Sequence, residues 1–286
     1  MEGFLYWWQH LPEHMDPVIL EIGSFRLQYY GLMYIVAFAF TYILASHRIR
    51  REDRFQINVD QLQGLMTAMI LGLIIGARLG YVLFYNFSYY LHHPLEVVLP
   101  FEFSGGFRFT GITGMSYHGG LIGVVLATII FVRKNRLDFF SMADLIVPCI
   151  PLGYTFGRLG NFINGELFGR VTTHPIGMFF PFAPGPGRRH PSQLYEAFFE
   201  GIVLFIVLWA AKSRVTTRGA MLALYLMGYG LVRFFIEYAR QPDAQLGFIL
   251  YSLSMGQLLC MAMILAGGLL LLYLKKQSRI QPKEKT

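Results

Sequence analysis

The chain has 286 residues, of which 55% are hydrophobic and only 14% are charged, and its mean hydropathy is positive at +0.46. These values are typical of polytopic membrane proteins and argue against a soluble enzyme. The net charge of +7 does not indicate nucleic-acid binding, because the basic residues lie mostly in short segments between apolar runs.

Seven apolar stretches are long enough to cross a membrane as helices. The sequence therefore predicts an all-α polytopic membrane protein with about seven transmembrane helices, in a single transmembrane domain over 1–286. The predicted helices lie at about 28–46, 62–85, 117–133, 141–161, 192–211, 219–239 and 254–274. The first 28 residues lack the basic start and compact apolar core of a cleavable signal peptide, so we expect the first helix to remain in the mature protein.

The long connections are rich in glycine, proline and aromatic residues. We expect segments 1–27, 86–116 and 166–191 to form a small external cap of irregular or β structure. Within them, SGGFRFTGITGMS and IGSFRLQYYG have the composition of short strands joined by glycine turns.

Lys and Arg are distributed unevenly between the two sides of the predicted bundle. If the first connection is cytoplasmic, the inside segments hold fifteen Lys and Arg residues and the outside segments hold six. This bias predicts an exterior N-terminus and a cytoplasmic C-terminus.

Glycines spaced four apart occur in two of the predicted helices. Gly72, Gly76 and Gly80 lie on the second helix, and Gly153 and Gly157 repeat the interval on the fourth. Such stripes of small residues let helix backbones approach closely in lipid, so we expect these glycines to pack against neighbouring helices.

Three arginines, Arg78, Arg158 and Arg233, interrupt the second, fourth and sixth apolar stretches. A charge at a helix centre costs about 2.5–3.5 kcal/mol on insertion scales, so such residues usually face a protein-lined or watery cavity. Each arginine lies late in a helix predicted to run outward, which suggests one shared site for an anion. Snorkelling of the side chain to the outer headgroups is the alternative, and it suits Arg78 best.

The sixth predicted helix carries several polar residues on one face. Tyr225, Tyr229, Arg233 and Glu237 are spaced four apart, so they line the same side of the helix. Arg233 and Glu237 can pair, which lowers the cost of burying either charge. A purely structural pair is the alternative to a functional one.

The fourth predicted helix ends in the segment GRLGNFINGELFGR. Arg158 and Asn161 supply donors suited to phosphate oxygens, and Asn164, Gly165 and Glu166 follow where the helix must stop. A helix C-cap explains Asn164 and Gly165 without a ligand, but it does not explain Arg158 and Asn161 together. The segment lacks the P-loop pattern, which argues against nucleotide binding.

His118, in GMSYHGGLIG, begins the third predicted helix on its outer side. Imidazole is the usual proton acceptor near neutral pH, although a lone histidine at a helix start also serves as a cap or interfacial residue. The spacing of His, Cys and carboxylates predicts no metal site, and Cys149 and Cys260 are expected to be buried apolar residues. Neither a G-x-S-x-G motif nor a Ser–His pair indicates an intramembrane hydrolase.

Six segments, taken in order along the chain, carry a family resemblance. They are QYYGLMY (28–34), ARLGYVLFYN (77–86), MSYHGGLIG (115–123), GRLGNFINGELFGR (157–170), RHPSQLYE (189–196) and YGLVRFFIEYARQPD (229–243). As a set they resemble the prolipoprotein diacylglyceryl transferases, multi-pass enzymes of the bacterial inner membrane. The resemblance implies that the external cap and the N-terminus are periplasmic.

The resemblance implies transfer of the diacylglyceryl group of phosphatidylglycerol to the lipobox cysteine of a preprolipoprotein, with a thioether formed and glycerol phosphate released. The partners would be phosphatidylglycerol, preprolipoprotein signal peptides and membrane lipid, without nucleic acid, metal or cofactor. The family's functional positions fall on Tyr30, His118, Arg158, Asn161, Glu166, Gly169, Tyr229, Arg233 and Glu237.

Each of these residues suits a role in that reaction. Arg158 would anchor the headgroup, and Arg233, positioned by Glu237, would stabilise the reacting phosphate. His118 would accept the thiol proton, with electrostatic assistance from Arg233 as the competing account. The residues expected to position the glycerol and phosphate oxygens are Asn161, Tyr30 and Tyr229.

One departure and one rival function accompany the resemblance. The segment 166–190 is shorter than in some relatives, which leaves the peptide entry route open. The main alternative function is an anion or lipid transporter or binding protein, because binding an anion and stabilising a leaving phosphate need the same groups.

Overall fold

The computed structural model describes residues 2–23, 25–99, 101–102, 108–109, 114–241, 248–250 and 253–280. The chain divides into two compact units. The first unit comprises Met1–Arg48 and Ala143–Thr286, and the second comprises Ile49–Met142.

Helices account for most of the described residues. The α-helices are α1 (Glu2–His10), α2 (Tyr29–Arg51), α3 (Val59–Tyr85), α4 (Phe87–His92), α5 (Tyr117–Lys134), α6 (Phe139–Ile146), α7 (Ile150–Ile163), α8 (Ser192–Tyr195), α9 (Leu204–Ala211), α10 (Ala220–Ile236) and α11 (Met255–Ile280). Short 3₁₀ turns lie at Leu11–His14, Pro94–Val97 and Val147–Cys149, and a π-helical segment lies at Glu196–Val203.

Six helical runs among the described residues are long and apolar enough to cross a membrane, and α10 is a shorter seventh. The longer runs are Tyr29–Arg51, Val59–Tyr85, Tyr117–Lys134, Phe139–Ile163, Ser192–Ala211 and Met255–Arg279. The predicted fold class of a helical polytopic membrane protein is confirmed. The sixth helix ends at Ile236, earlier than the predicted residue 239.

Three small antiparallel sheets lie in the connections between helices. The paired strands are β1 (Val18–Ile22) with β2 (Phe25–Gln28), β3 (Phe101–Glu102) with β4 (Arg108–Phe109), and β5 (Phe248–Leu250) with β6 (Leu253–Ser254). The strand predicted in IGSFRLQYYG is confirmed as β2. For SGGFRFTGITGMS, residues 104–107 and 110–113 lie outside the described residues.

In the second unit, α3 and α5 pack through glycines. A Cβ added to Gly76 would strike the backbone of Gly119, and one added to Gly72 would strike that of Gly123. A Cβ on Gly80 would lie 2.7 Å from the α carbon of Gly119. The stripe predicted on the second helix therefore serves close packing.

Small residues also let helices of the first unit pack closely against one another. A Cβ at Gly153 of α7 would lie 3.0 Å from the carbonyl oxygen of Ala37 on α2, and one at Gly230 of α10 would lie 2.9 Å from that of Cys260 on α11. Gly157 differs, since no described atom lies within 4 Å of the position a Cβ would take. The expectation that Gly157 supports helix packing is therefore wrong.

A buried polar contact fixes the start of α10 within the first unit. The Asp144 carboxylate accepts the backbone N–H groups of Gly219 and Met221, at 2.7 and 3.0 Å. Arg48, at the end of α2, is fully buried and donates to the carbonyl oxygen of Leu145 at 2.7 Å. An acidic group at a helix N-terminus is favourable, so these contacts anchor the helix that carries Arg233.

Candidate active site

The end of α7 places Arg158 and Asn161 one turn apart. The helix stops at Ile163 with Asn164 as its C-cap, and Gly165 follows with φ of +66°. Glycine adopts this left-handed conformation without steric cost. The predicted helix cap is therefore present. Arg158 and Asn161, the two polar residues before it, make further side-chain contacts that a helix cap does not require.

The loop after α7 is held by side chains from the start of the fifth span. Ser192 donates to the carbonyl oxygen of Leu167 at 2.9 Å, and Gln193 donates to that of Glu166. Leu167 has φ of +56°, which is unfavourable for a leucine and persists only where surrounding contacts enforce it. The short segment after Glu166 is therefore firmly placed against the helical core.

The fifth span contributes two buried carboxylates that the sequence analysis did not assign. Glu196 and Glu200 lie in the π-helical segment and are 0% and 1% exposed. π-Helical turns within longer helices often occur at functional sites. A carboxylate inside an apolar span is as unusual as an arginine, so the same reasoning that selected Arg158 would have selected both residues.

Glu196 joins arginines from three separate segments. Its Oε2 atom lies 2.8 Å from Nε of Arg158 and 2.9 Å from Nη1 of Arg233, and its Oε1 atom lies 3.0 Å from Nη1 of Arg240. The side chains of Arg158 and Arg233 are 15% and 12% exposed. The structure therefore brings together two of the three arginines that interrupt apolar stretches.

Glu237 is one of several carboxylates near Arg233. Nε of Arg233 lies 3.5 Å from Oε2 of Glu237, and Nε of Arg240 lies 3.7 Å from Oε1 of the same residue. The contact between Arg233 and Glu196 is shorter, at 2.9 Å. Arg233 and Glu237 do lie together as the spacing predicts, but Glu196 is the nearer anchor of Arg233.

Asn161 connects Arg158 to Glu166. Its Oδ1 atom accepts a hydrogen bond from Arg158 at 3.1 Å, and its Nδ2 atom donates to Glu166 at 2.8 Å. Tyr30 packs against Gly160, next to Asn161 in the chain, and its hydroxyl lies 3.0 Å from the hydroxyl of Tyr34. Asn161 and Glu166 thus extend the arginine cluster as one polar chain, and Tyr30 packs beside it.

Tyrosines lie one helical turn before each of the two arginines, Arg158 and Arg233. The hydroxyl of Tyr154 accepts from Nε of Arg158 at 2.6 Å and donates to Oε2 of Glu200 at 2.6 Å. The ring of Tyr229 meets Tyr154 edge-on with centroids 6.1 Å apart, and it stacks on Tyr225 at 5.8 Å. Tyr229 therefore packs beside the cluster, and Tyr154 is a further member that sequence reasoning missed.

Gly169 lies where two backbones approach closely. A Cβ there would strike the carbonyl oxygen of Ala239 and would lie 2.9 Å from Cβ of His190. The Gly169 amide donates to the carbonyl oxygen of His190 at 2.8 Å, and Arg170 donates from Nε to the carbonyl oxygen of Arg240 at 2.8 Å. Only glycine fits at this junction, which joins the loop after α7 to the end of α10.

Arg78 and His118 belong to the second unit. Arg78 donates to the carbonyl oxygens of Val97 at 2.9 Å and Gly114 at 3.4 Å, and also to that of Glu96. These bonds account for its burial without an anion. His118 is exposed in the first turn of α5, whose N-cap is Ser116.

The charges of the cluster favour an anionic ligand. Three glutamates, Glu196, Glu200 and Glu237, face the three arginines Arg158, Arg233 and Arg240. Arg170 adds a fourth guanidinium, which donates to the carbonyl oxygen of Glu237 at 3.2 Å. Glu166, joined to Arg158 through Asn161, balances this fourth charge when every group is ionised. The preference for an anion therefore comes from the guanidinium donors, which are suited to binding phosphate oxygens.

Comparison with known proteins agrees with this geometry. A family model described as prolipoprotein diacylglyceryl transferase matches residues 17–273. The phosphatidylglycerol–prolipoprotein diacylglyceryl transferase of Chlorobaculum tepidum is 52% identical over 279 residues, covering 97% of this chain and 96% of that protein. The protein of the same name from Bordetella avium is 46% identical over 267 residues, covering 93% and 97%.

A third relative of that name, from Coxiella burnetii, is 48% identical over 256 residues, with 89% of this chain and 94% of that protein covered. These likenesses extend over nearly the whole chain, and they include the helices that hold the arginine cluster. The chain belongs to the prolipoprotein diacylglyceryl transferase family.

Proposed function

We propose that the chain transfers the diacylglyceryl group of phosphatidylglycerol to the lipobox cysteine of a preprolipoprotein. The family membership supports the reaction type, and the contact of Arg158 and Arg233 with one Glu196 oxygen carries the assignment of the site. Two buried guanidinium groups held this closely suit a single phosphodiester, because each offers several donors in a fixed plane.

The reaction replaces one bond at the terminal carbon of the lipid's glyceryl group. The cysteine sulfur forms a bond to this carbon while the bond between the carbon and the phosphate oxygen breaks. The electron pair of that bond leaves with glycerol phosphate, and the thiol proton passes to a base. The chemistry consumes no nucleotide, because phosphatidylglycerol is itself the group donor.

Arg158 and Arg233 would stabilise the leaving phosphate. Negative charge grows on the departing oxygen, and donors fixed in a largely buried site stabilise it more than mobile water does. Arg158 is held by Tyr154, Asn161 and Glu196, so its donors are oriented before substrate arrives. Preorganisation of this kind lowers the barrier without a cost at the moment of reaction.

Tyr30, Asn161, Glu166 and Tyr229 would orient the glycerol and phosphate oxygens. Asn161 and Glu166 form a hydrogen-bonded chain that begins at Arg158, and Tyr30 packs against the neighbouring Gly160, which supports a shared role. Gly169 would act indirectly, because its lack of a side chain lets the loop close against the end of α10.

His118 is our candidate for the base that accepts the thiol proton. Its exposure in the first turn of α5 supports access for an arriving peptide. In the competing account, Arg233 lowers the cost of thiolate formation through its positive charge. The two accounts differ in the pH dependence of a His118 variant.

We place the enzyme in the bacterial inner membrane with its N-terminus in the periplasm and its C-terminus in the cytoplasm. The excess of Lys and Arg in the segments between the first and second, third and fourth, and fifth and sixth helices supports this orientation. Phosphatidylglycerol would then enter from the surrounding lipid, and the signal peptide would present its lipobox cysteine at the outer leaflet.

Purified protein, phosphatidylglycerol and a lipobox peptide test the proposal. Formation of a thioether-linked diacylglyceryl peptide together with glycerol phosphate is the expected result. Lipid that binds but stays intact would instead support the rival lipid-binding or transport function. A peptide with serine in place of the cysteine is the control, and it must yield no product.

A further inference from the structure

Glu196 is a buried carboxylate with an unusual set of neighbours. Arg158 on α7, Arg233 on α10 and Arg240 after α10 all approach it within 3.0 Å. Its own exposure is 0%, so protein atoms enclose it completely. A single side chain thereby connects three segments of the first unit.

The two oxygens of this carboxylate divide the arginines between them. Oε2 contacts both Arg158 and Arg233, whereas Oε1 contacts Arg240. The two guanidinium groups therefore meet at one shared atom, Oε2 of Glu196, which links their positions directly. A phosphate that binds both guanidinium groups needs that spacing to be correct, because charge-assisted hydrogen bonds are short and directional.

Packing holds the backbone at Glu196 in a fixed place. Thr155 of α7 donates to the carbonyl oxygen of Ala197 at 3.3 Å, next to Glu196 in the chain. One turn further on, a Cβ at Gly201 would strike the Thr155 hydroxyl, so the fifth span lies directly against α7. The π-helical segment that begins at Glu196 is thus held against α7 at two points.

Glu200 has a different environment from Glu196. Its Oε1 atom lies 3.5 Å from Nη1 of Arg233, and its shorter contact, at 2.6 Å, is with the hydroxyl of Tyr154. The Tyr154 hydroxyl can donate to a carboxyl oxygen or to an amide oxygen, so this contact does not require a charge on Glu200. Glu200 is consequently less able than Glu196 to set the position of an arginine.

We propose that Glu196 is a positioning residue for diacylglyceryl transfer, which holds Arg158 and Arg233 at the separation that one lipid phosphate requires. The inference rests on the proposed function, and it assigns Glu196 no contact with lipid or peptide. It acts through the two arginines, so its loss misplaces their donors while leaving positive charge in the site.

Glu196→Gln and Glu196→Asp test this role through the separate values of kcat and KM. Glutamine keeps the size but removes the charge, so the guanidinium groups lose their common anchor. We expect kcat of the folded enzyme to fall about 10²-fold, the cost of displacing reacting groups by about 1 Å, while KM for phosphatidylglycerol changes much less. A counter-ion needed only for stability would lower the yield of folded protein without changing kcat.

Glu196→Asp keeps the charge and withdraws it by about 1.5 Å, one carbon–carbon bond. It is the second variant if glutamine prevents folding, and its kcat should fall by a smaller factor, about 10-fold. Glu96→Gln is the matched control, because Glu96 is a buried glutamate of the second unit that accepts a hydrogen bond from Tyr89. We expect Glu96→Gln to leave kcat unchanged.

The results separate this inference from the proposed function. Wild-type turnover together with a folded Glu196→Gln or Glu196→Asp variant of unchanged kcat would overturn the positioning role alone. A wild-type protein that forms no thioether product would overturn both. Loss of kcat in the Glu196 variants, with the Glu96→Gln enzyme active, would support the role.

Discussion

Arg158 and Arg233 contact the same atom, Oε2 of Glu196, at 2.8 and 2.9 Å. They lie on different spans, so the fold and not the local sequence brings them together. Burial of several charges is costly unless each is paired and hydrogen-bonded, and here each arginine has a carboxylate within ion-pair distance. Charged residues within membrane spans usually mark a functional site, and binding a lipid phosphate is a function that suits these guanidinium groups.

Replacement of Arg233 by alanine should nearly abolish transfer. The variant loses a donor to the leaving phosphate, and we expect kcat to fall about 10²- to 10³-fold. Arg233→Lys should recover little of the activity, because an ammonium cannot reproduce the planar contacts of guanidinium with two partners. Turnover of both variants, measured on protein that elutes as a single folded species in detergent, checks this. Activity near the wild-type level in Arg233→Ala would remove Arg233 from the mechanism.

Asn161→Ala should weaken the orientation of Arg158. The change deletes the acceptor for Arg158 and the donor to Glu166, at 3.1 and 2.8 Å. We expect kcat/KM for phosphatidylglycerol to fall about 10- to 100-fold, since the one hydrogen bond that orients Arg158 contributes about 1.5–3 kcal/mol. Asn164→Ala is the comparison, because its contact with Glu166 is longer at 3.4 Å. Equal losses in both variants would contradict a special role for Asn161.

Gly169→Ala should destabilise the protein through a backbone clash. The added methyl group has no room between Ala239 and His190, and overpacking of this kind costs about 1–3 kcal/mol. Gly268→Ala on α11 is the matched control, because no described atom lies within 4 Å of the added carbon. Thermal unfolding in detergent should show a lower Tm for the first variant and an unchanged or higher Tm for the second. A Tm for Gly169→Ala equal to that of the wild type would disprove the clash.

His190 should make stability depend on pH. Burial, with His174 as a second cause, lowers the pKa of His190 below its ordinary 6.5, so the folded protein favours the neutral ring. The contribution to stability is therefore fully present above pH about 6.5 and is lost as the pH falls through the lowered value. His190→Gln should reduce the fall in Tm between about pH 7.5 and 5. His174→Gln should reduce it less, and an unaltered pH profile in His190→Gln would refute the assignment.

His118→Gln distinguishes the two accounts of thiol activation. If His118 takes the thiol proton, the variant should be slowest near neutral pH and should approach the wild type at high pH, where the peptide thiol is already ionised. Transfer rates measured across that range test it. A defect of the same size at every pH would favour electrostatic assistance by Arg233.

The sequence was sufficient to predict the helical membrane fold and two of the three arginines that contact Glu196. Apolar runs of about 20 residues leave few alternatives to helices, and the cost of a buried charge made Arg158 and Arg233 conspicuous. Asn161 followed from its spacing to Arg158 near the end of α7, whereas the role of Glu166 came from the family resemblance. Gly169 came from the family resemblance, and the structure supplies its physical reason.

The missing members of the cluster depended on contacts between spans. Glu196 lies within a quoted segment, RHPSQLYE, yet periodicity along one helix does not show which neighbouring helix its carboxylate meets. The π-helical turn had no local sequence signal either, since no pattern within Glu196–Val203 distinguishes it from an α-helix. Arg78 differs from the other two arginines, because backbone carbonyl oxygens of its own unit accept its hydrogen bonds.

A structure of the enzyme in phosphatidylglycerol-containing nanodiscs tests the central claim most directly. The distances from the lipid phosphate oxygens to the guanidinium nitrogens of Arg158 and Arg233 are the measurement. We predict that one phosphate contacts both arginines at hydrogen-bonding distance, about 2.7–2.9 Å. A lipid bound with its phosphate away from both side chains, while the enzyme remains active, would contradict the account.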